Sequence, residues 1–189
     1  MPRYHTFSRQ HQRDLLRVTA ITAISSLMNR LKQRTDSDLC VVRTVFRAEV
    51  SPGTGGEGLD GDGDVDLLAN TYRLNRNLYY RNDGSMFTEV ARDNGLSGQP
   101  TRWQGWIYYG HSIGTAVGDL DGDADLDIVI ANLAHPRFYD FSDKTQVLLN
   151  DGTGVFRDIQ GDWSTPDGQA GLRFQETHSI PTLGDFNND

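Results

Sequence analysis

The chain has 189 residues, of which 37% are hydrophobic and 23% charged, and its formal net charge is −8. This composition is ordinary for a globular protein, and a single cysteine, Cys40, excludes an internal disulfide framework. The charge is uneven, because residues 1–50 carry nine Lys/Arg and four Asp/Glu, whereas residues 51–189 carry nine and twenty-two. The acidic part predicts no nucleic-acid partner, since it would repel phosphates, and it favours hard cations.

The basic N-terminal segment, residues 1–38, is predicted to contain an amphipathic helix over residues 14–33, where apolar side chains recur near helical spacing. Its uncharged run, Val18–Asn29, is too short for a membrane span, which needs about 20 residues. A degraded export signal is the alternative, but the run is rich in Thr and Ser and no clear small-x-small cleavage site follows it. We therefore predict no membrane span.

The rest of the sequence repeats itself. Residues 58–70, GLDGDGDVDLLAN, match residues 118–132, GDLDGDADLDIVIAN, at a spacing of 61 residues. A third copy begins with GDFNND at residues 184–189, at a spacing of 66. The sequence predicts a first repeat over residues 39–98, a second over 99–166, and the start of a truncated third over 167–189.

A second match lies downstream of each acidic loop. NLYYRNDGSMFTEV at residues 77–90 parallels QVLLNDGTGVFRDI at residues 146–159, and Asn-Asp-Gly is turn chemistry because these residues tolerate positive φ. Each repeat therefore reads as strand, acidic loop, strand, long connection, strand, turn, strand. Four short strands at a fixed period are typical of a propeller blade. We predict an all-β fold, a partial β-propeller with about two four-stranded blades plus the start of a third, preceded by the short helical segment.

The second acidic loop holds five aspartates in nine positions, and carboxylates this close repel one another. A calcium ion would offset that repulsion, because it accepts six to eight oxygen ligands. In this loop Asp125 is predicted to bind through its backbone carbonyl and the other aspartates through their side chains. The predicted metal ligands, which share the alternate spacing, are Asp119, Asp121, Asp123, Asp125 and Asp127 in the second copy, Asp60, Asp62, Asp64 and Asp66 in the first, and Asp185, Asn187 and Asp189 in the third.

Two positions depart from this pattern. Gly58 stands where the second copy has Asp119, which weakens the first site. If this copy is a decayed member of the same series, we expect Gly58→Asp to strengthen it. Ala124 occupies a position that is usually Gly, and this alanine costs some conformational freedom if its φ is positive. A solvated acidic loop without metal is the alternative. An EF-hand is disfavoured, because Ile130 stands where its bidentate Glu would be.

These motifs, Gly118–Val129 and Asn150–Phe156, resemble FG-GAP/VCBS repeats, the calcium-loop blades of integrin-α-type β-propellers. The spacing is similar to that of bacterial proteins like cartilage acidic protein 1, which often carry an ASPIC/UnbV domain. The resemblance covers residues 45–189 and implies an exported, periplasmic or cell-surface protein. Because the sequence stops inside its third acidic loop, we expect a fragment whose partners include the remaining blades of a longer parent protein.

The leading functional hypothesis is a non-enzymatic, calcium-stabilised segment that binds a protein or glycan ligand on a cell surface or matrix. Exposed loops would supply the contacts. The candidate contact residues are aromatic or lie in an insertion: Trp103, Trp106, Tyr108, Tyr109 and His135–Tyr139. The alternative is that these aromatic side chains belong to the core between blades.

The rival hypothesis is a metal-dependent hydrolase that uses the aspartate clusters with His111, His135 or His178. Two-metal catalytic sites place their ions about 3.5–4 Å apart in one cavity. Here each acidic loop belongs to its own repeat, which separates the ions. His111 and His178 recur in phase before a loop, and this favours a repeated structural hydrogen bond.

Overall fold

The computed structural model describes residues 58–84, 86–133, 143–159 and 177–185. Within these ranges the chain forms nine β-strands and no helix, so the all-β prediction is confirmed there. The predicted helix over residues 14–33 and the first strand of the first repeat lie outside them. The number of blades stays a prediction.

The second repeat forms a four-stranded antiparallel sheet in the order β6-β7-β8-β9. Its pairing joins Val117 to Ile128, Ile128 to Leu148, and Leu148 to Asp158. β-Branched and other apolar residues favour these strands because their side chains pack on a pleated, half-buried surface. The strands are β6 Ser112–Gly118, β7 Asp127–Asn132, β8 Gln146–Asn150 and β9 Phe156–Asp158.

The first repeat forms a three-stranded antiparallel sheet in the order β1-β2-β3, which corresponds to β7-β8-β9 of the second. The pair Asn82–Phe87 corresponds to the pair Asn150–Phe156, as the sequence match predicts. Both pairs flank an Asn-Asp-Gly turn whose glycine has a positive φ. The strands are β1 Leu67–Ala69, β2 Leu78–Asn82 and β3 Phe87–Glu89.

The two sheets share one hydrophobic core. Burying each large apolar side chain contributes about 1.5–3 kcal/mol, so the shared core holds the two repeats together. The core residues come from both sheets, from the first acidic loop and from the turn after β3: Leu59, Leu68, Tyr79, Ala91, Leu96, Ile128, Ile130, Leu148 and Phe156.

The turn after β3 also joins the repeats through hydrogen bonds. The Asn94 side chain donates to the carbonyl of Gly154, and the Asn94 carbonyl accepts the N–H of Phe156. Gly95, with φ near +80°, lies against the Phe156 carbonyl so closely that a Cβ would clash. The turn therefore fits β9 only with glycine at this position.

In chain order, a two-stranded hairpin that the sequence did not predict lies between the first sheet and the second. It consists of β4, Thr101–Trp103, and β5, Trp106–Tyr108, joined by Gln104 and Gly105. Both turn residues have positive φ, as a type I′ turn requires. Trp103 and Trp106 are 41% and 70% exposed, so these two side chains are not core residues.

Residues 177–185 run alongside β6 without forming a regular strand. The N–H of His178 donates to the Asn132 carbonyl, and the Ser179 carbonyl lies where a Cβ of Gly114 would be. Leu183 lies against Gly118 in the same way, because a Cβ added to Gly118 would be 3.0 Å from Cδ1 of Leu183. The glycines of β6 thus allow this segment to pack closely against the second sheet.

Candidate metal centre

The second acidic loop connects β6 to β7, and the strand pair Gly118–Asp127 closes its base. One carboxylate oxygen from each of Asp119, Asp121 and Asp127 lies within 4.8 Å of the other two. Oxygens that bind one calcium ion at about 2.3–2.6 Å are separated by at most roughly twice that distance. The donor chemistry and the spacing of these three residues therefore fit a calcium ion.

Asp127 anchors this group. Its side chain is fully buried, and its two oxygens accept the N–H of Leu120 at 2.7 Å and of Asn150 at 2.9 Å. Burial raises the pKa of Asp127, although these two hydrogen bonds act in the opposite direction. The carboxylate thus ties the beginning of the loop to the end of β8.

Asp119 holds the tip of the loop. Its two oxygens accept the N–H of Gly122 at 2.7 Å and of Ala124 at 3.1 Å. Ala124 has a φ of 76°, a left-handed conformation that is unfavourable for any residue with a Cβ. The alanine at this position is therefore costly, as expected from the sequence for a positive φ. The corresponding residue of the first loop, Gly63, has a φ of 89°, and because it has no Cβ it adopts this conformation without that cost.

Asp123 and Asp125 lie beside the group of three carboxylates. Asp123 accepts the N–H of Asp125 at 2.9 Å. The Asp125 carboxylate lies against Gly152, so that a Cβ added to Gly152 would be 2.6 Å from Oδ2 of Asp125. Desolvation, followed by the negative charges of Asp123 and Asp119, raises the pKa of Asp125. Metal ligation by Asp123 and by the carbonyl of Asp125 stays a prediction.

The first acidic loop gathers a different set of carboxylates. Oxygens of Asp60, Asp62 and Asp83 lie within 4.8 Å of one another. Burial, followed by the charge of Asp66, raises the pKa of Asp60 to about 6. Sequence reasoning missed Asp83, which belongs to the Asn-Asp-Gly turn. The repeated turn was the available signal, but only the pairing of β1 with β2 brings it to the loop.

Asp66 is the counterpart of Asp127 and is bound in the same way. Its oxygens accept the N–H of Leu59 at 2.8 Å, the N–H of Asn82 at 2.9 Å and the hydroxyl of Tyr79 at 2.9 Å. Burial raises its pKa. Asp66 is not part of the carboxylate group of its own loop, whereas Asp127 is.

Gly58 is buried, and the loop closes on it. A Cβ at this position would lie 2.5 Å from the carbonyl oxygen of Asp64, which is closer than real contacts allow. That Gly58→Asp strengthens the first site stays a prediction, and this backbone opposes it, because the Asp64 carbonyl would have to move to make room for the new side chain. Asp64 itself lies beside Gly84, as Asp125 lies beside Gly152.

A positive charge lies beside the first group. The Nε of Arg81 is 2.9 Å from Oδ1 of Asp83 and 3.8 Å from Oδ2 of Asp60. The Arg81 side chain is 36% exposed and that of Asp60 only 12%. The carboxylate of Asp83 raises the pKa of Arg81, which therefore stays charged. The second repeat has Leu149 at the corresponding place.

Asn150 connects the two loops. Its backbone N–H donates to Asp127, and its side-chain Nδ2 donates to the carbonyls of Leu59 at 2.8 Å and Leu126 at 3.1 Å. Its counterpart Asn82 donates from Nδ2 to the carbonyl of Val65 at 3.2 Å, within its own repeat. The turn of the second repeat is thus bonded to the loop of the first.

The two histidines that the structure describes, His111 and His178, belong to neither group. Among the described residues, both carboxylate groups consist of aspartates alone. His111 is buried with its ring centroid 4.8 Å from that of Tyr72, and Nδ1 of His178 is 2.8 Å from Oγ1 of Thr145. His135 lies outside the described residues. Of the third acidic loop, Asp185 is described and exposed, while Asn187 and Asp189 are not described.

Residues 58–130 match the family model described as FG-GAP-like repeat. This range contains the first acidic loop, the hairpin, β6, the second acidic loop and part of β7. No curated protein matches the chain. No helix that the structure describes has both the length and the apolar character needed to cross a membrane.

Proposed function

We propose that this chain is a calcium-binding segment of β-propeller repeats that serves recognition outside the cell without catalysing a reaction. The observation that carries the proposal is the convergence of Asp119, Asp121 and Asp127 within 4.8 Å around a fully buried anchor. The family match supports it, because FG-GAP repeats are typically extracellular domains.

In this proposal the ion is structural. Its charge offsets the repulsion among the three carboxylates, which is about 1 kcal/mol per pair at 4 Å in water and several-fold larger where solvent is excluded. Asp127 would hold the ion, the amide of Leu120 and the amide of Asn150 at once. Ion binding would therefore fasten the loop to three strands of the second sheet, β6, β7 and β8.

The hairpin β4–β5 is the proposed ligand-contacting element. Its register places Thr101, Trp103, Trp106 and Tyr108 on one face, and the two tryptophans pair across the strands next to the turn. Exposed Trp and Tyr provide large contact area at low conformational cost and are enriched in recognition surfaces. The proposed partner is a protein or glycan on a cell surface or matrix.

The metal proposal is tested by melting the full chain in excess calcium and in chelator. A ligand at a hundredfold excess over its Kd contributes about 2.7 kcal/mol, which corresponds to a rise in Tm of roughly 5–10 °C for a chain of this size. Asp119→Asn should abolish the rise, whereas Asp93→Asn, which removes the same charge from an exposed position in the turn after β3, should keep it. An unchanged Tm of folded wild-type protein would overturn the proposal.

The recognition proposal is tested with Trp106→Ala on the full chain. Because Trp106 is 70% exposed, the variant should melt like the wild type while losing binding to immobilised cell-surface glycans or matrix proteins. Met86→Ala removes another exposed apolar side chain, from the turn between β2 and β3, and should keep binding. Equal binding by Trp106→Ala and wild type would exclude the hairpin as the contact surface.

A further inference from the structure

Arg81 distinguishes the first acidic loop from the second. It is half-buried near the end of β2, two residues before Asp83, and its guanidinium contacts Asp83 through Nε at 2.9 Å and Nη2 at 3.4 Å. The same Nε lies 3.8 Å from Oδ2 of Asp60. Two of the three carboxylates of the first group therefore already have a cation beside them.

The second group has no such side chain at the matching position. Leu149 replaces Arg81, and the turn aspartate Asp151 bonds its own turn instead, accepting the N–H of Thr153 at 3.0 Å and its hydroxyl at 2.6 Å. The second group also has Asp119, for which the first loop has Gly58. The loop that has the arginine is thus also the loop that lacks the first carboxylate.

We infer that Arg81 is the resident cation of the first loop and keeps calcium out of it, so that only the second of these two loops takes the ion. This inference rests on the proposed function for its calcium part. Electrostatics gives the reason. A guanidinium within a few ångströms of a divalent ion repels it, while the same guanidinium relieves the repulsion among Asp60, Asp62 and Asp83 without any ion. Arg81 is therefore a specificity-determining residue for the cation.

The first experiment measures the metal-free protein, so it is independent of calcium binding. In chelator and low salt, Arg81→Leu should melt about 2 °C or more below the wild type, since a partly exposed ion pair has a small but measurable effect. The difference should shrink at high salt, which screens the carboxylates. Arg81→Lys should melt near the wild type, and Arg92→Leu, which removes an exposed arginine after β3, should show no salt-dependent loss. Equal behaviour of Arg81→Leu and Arg92→Leu would overturn the inference.

The second experiment titrates calcium into proteins whose second loop carries Asp119→Asn. Adding Arg81→Leu should tighten calcium binding by about tenfold or more relative to Asp119→Asn alone, because a like charge is removed next to the ion. Adding Arg92→Leu or Arg81→Lys should leave binding weak. Unchanged binding after Arg81→Leu would contradict the exclusion of calcium by Arg81.

The two proposals fail differently. If the second loop binds no calcium, the wild-type Tm does not respond to calcium, yet the salt-dependent loss in Arg81→Leu still appears. If Arg81 is not the resident cation, the wild-type Tm responds to calcium as proposed, and the Arg81→Leu loss does not appear.

Discussion

The two acidic loops share a scaffold and differ in the side chain beside their carboxylates, which is Arg81 in the first loop, whereas Leu149 stands at the matching position in the second. In each, a buried aspartate accepts the N–H of the second loop residue, at 2.8 Å for Asp66 and 2.7 Å for Asp127. Each also accepts the N–H of the turn asparagine at 2.9 Å. The scaffold is therefore the same although different carboxylates converge in the two loops.

The carboxylate groups, in contrast, do not correspond. The first group includes the turn aspartate Asp83 and lies beside Arg81. The second group includes Asp119 and the buried Asp127 instead. If calcium binds as proposed, two differences, Gly58 in place of an aspartate and Arg81 in place of a leucine, separate a loop that has an internal cation from one that takes an external ion.

The largest effect is expected from replacing the anchors. Asp127→Asn and Asp66→Asn should each lower the metal-free free energy of unfolding by about 2–3 kcal/mol, because an amide leaves a buried N–H donor unsatisfied. Denaturation in chelator and in calcium separates the two, since only Asp127→Asn should also abolish stabilisation by calcium. Loss of the calcium effect in both variants would remove the distinction between the loops.

The next effect concerns the turn asparagines. Asn150→Ala removes donation to two carbonyls, one in each loop, and acceptance of the N–H groups of Gly152 and Gly154. We expect a loss of about 2 kcal/mol, against about 1 kcal/mol for Asn82→Ala, whose side chain makes fewer such bonds. Urea denaturation in chelator measures both. A larger loss for Asn82→Ala would show that the bond between the repeats contributes little.

A smaller effect follows from the closure of the first loop on Gly58. Gly58→Ala should lower the free energy of unfolding by about 1–2 kcal/mol, because its Cβ would displace the carbonyl of Asp64. Gly122→Ala, with nothing within 4 Å of the added Cβ but a φ of +83°, serves as the control for backbone strain alone. If Gly58→Ala is neutral in chelator, the first loop is more open than described here.

The smallest expected change is at the tip of each loop. Ala124→Gly should raise the free energy of unfolding by about 1 kcal/mol and Gly63→Ala should lower it by about the same amount, since both positions have positive φ. Thermal melts of the two variants provide the comparison. Changes of the same sign would show that the two tips differ in backbone conformation under the conditions of measurement.

Local patterns predicted the scaffold well and the contacts between distant residues poorly. The order of strand, acidic loop, strand, turn and strand follows from the internal repeat and from turn chemistry, and the second sheet has this order. Asp83 and Arg81 join the first loop only because β2 pairs with β1, which neither residue type indicates. The bond from Asn150 to Leu59 spans 91 positions and has no sequence pattern.

The hairpin and the Gly58 environment show two other limits. Gln104-Gly105 is not among the dipeptides typical of a type I′ turn, and β4 and β5 have three residues each, so no periodicity identifies them. At Gly58 the sequence comparison treats the missing aspartate as a defect to repair. In the structure the carbonyl of Asp64 instead lies against this position, and no sequence pattern indicates that contact.

The most direct test of the difference between the loops is a residue-resolved calcium titration of the full chain by ¹H–¹⁵N NMR. The amides of Gly122 and Ala124, which bond Asp119, should shift and saturate, while those of Gly61 and Gly63 in the first loop should stay near their metal-free positions at the same calcium concentration. Saturation of Gly61 and Gly63 in parallel with Gly122 and Ala124, or no shift in either loop, would contradict the account.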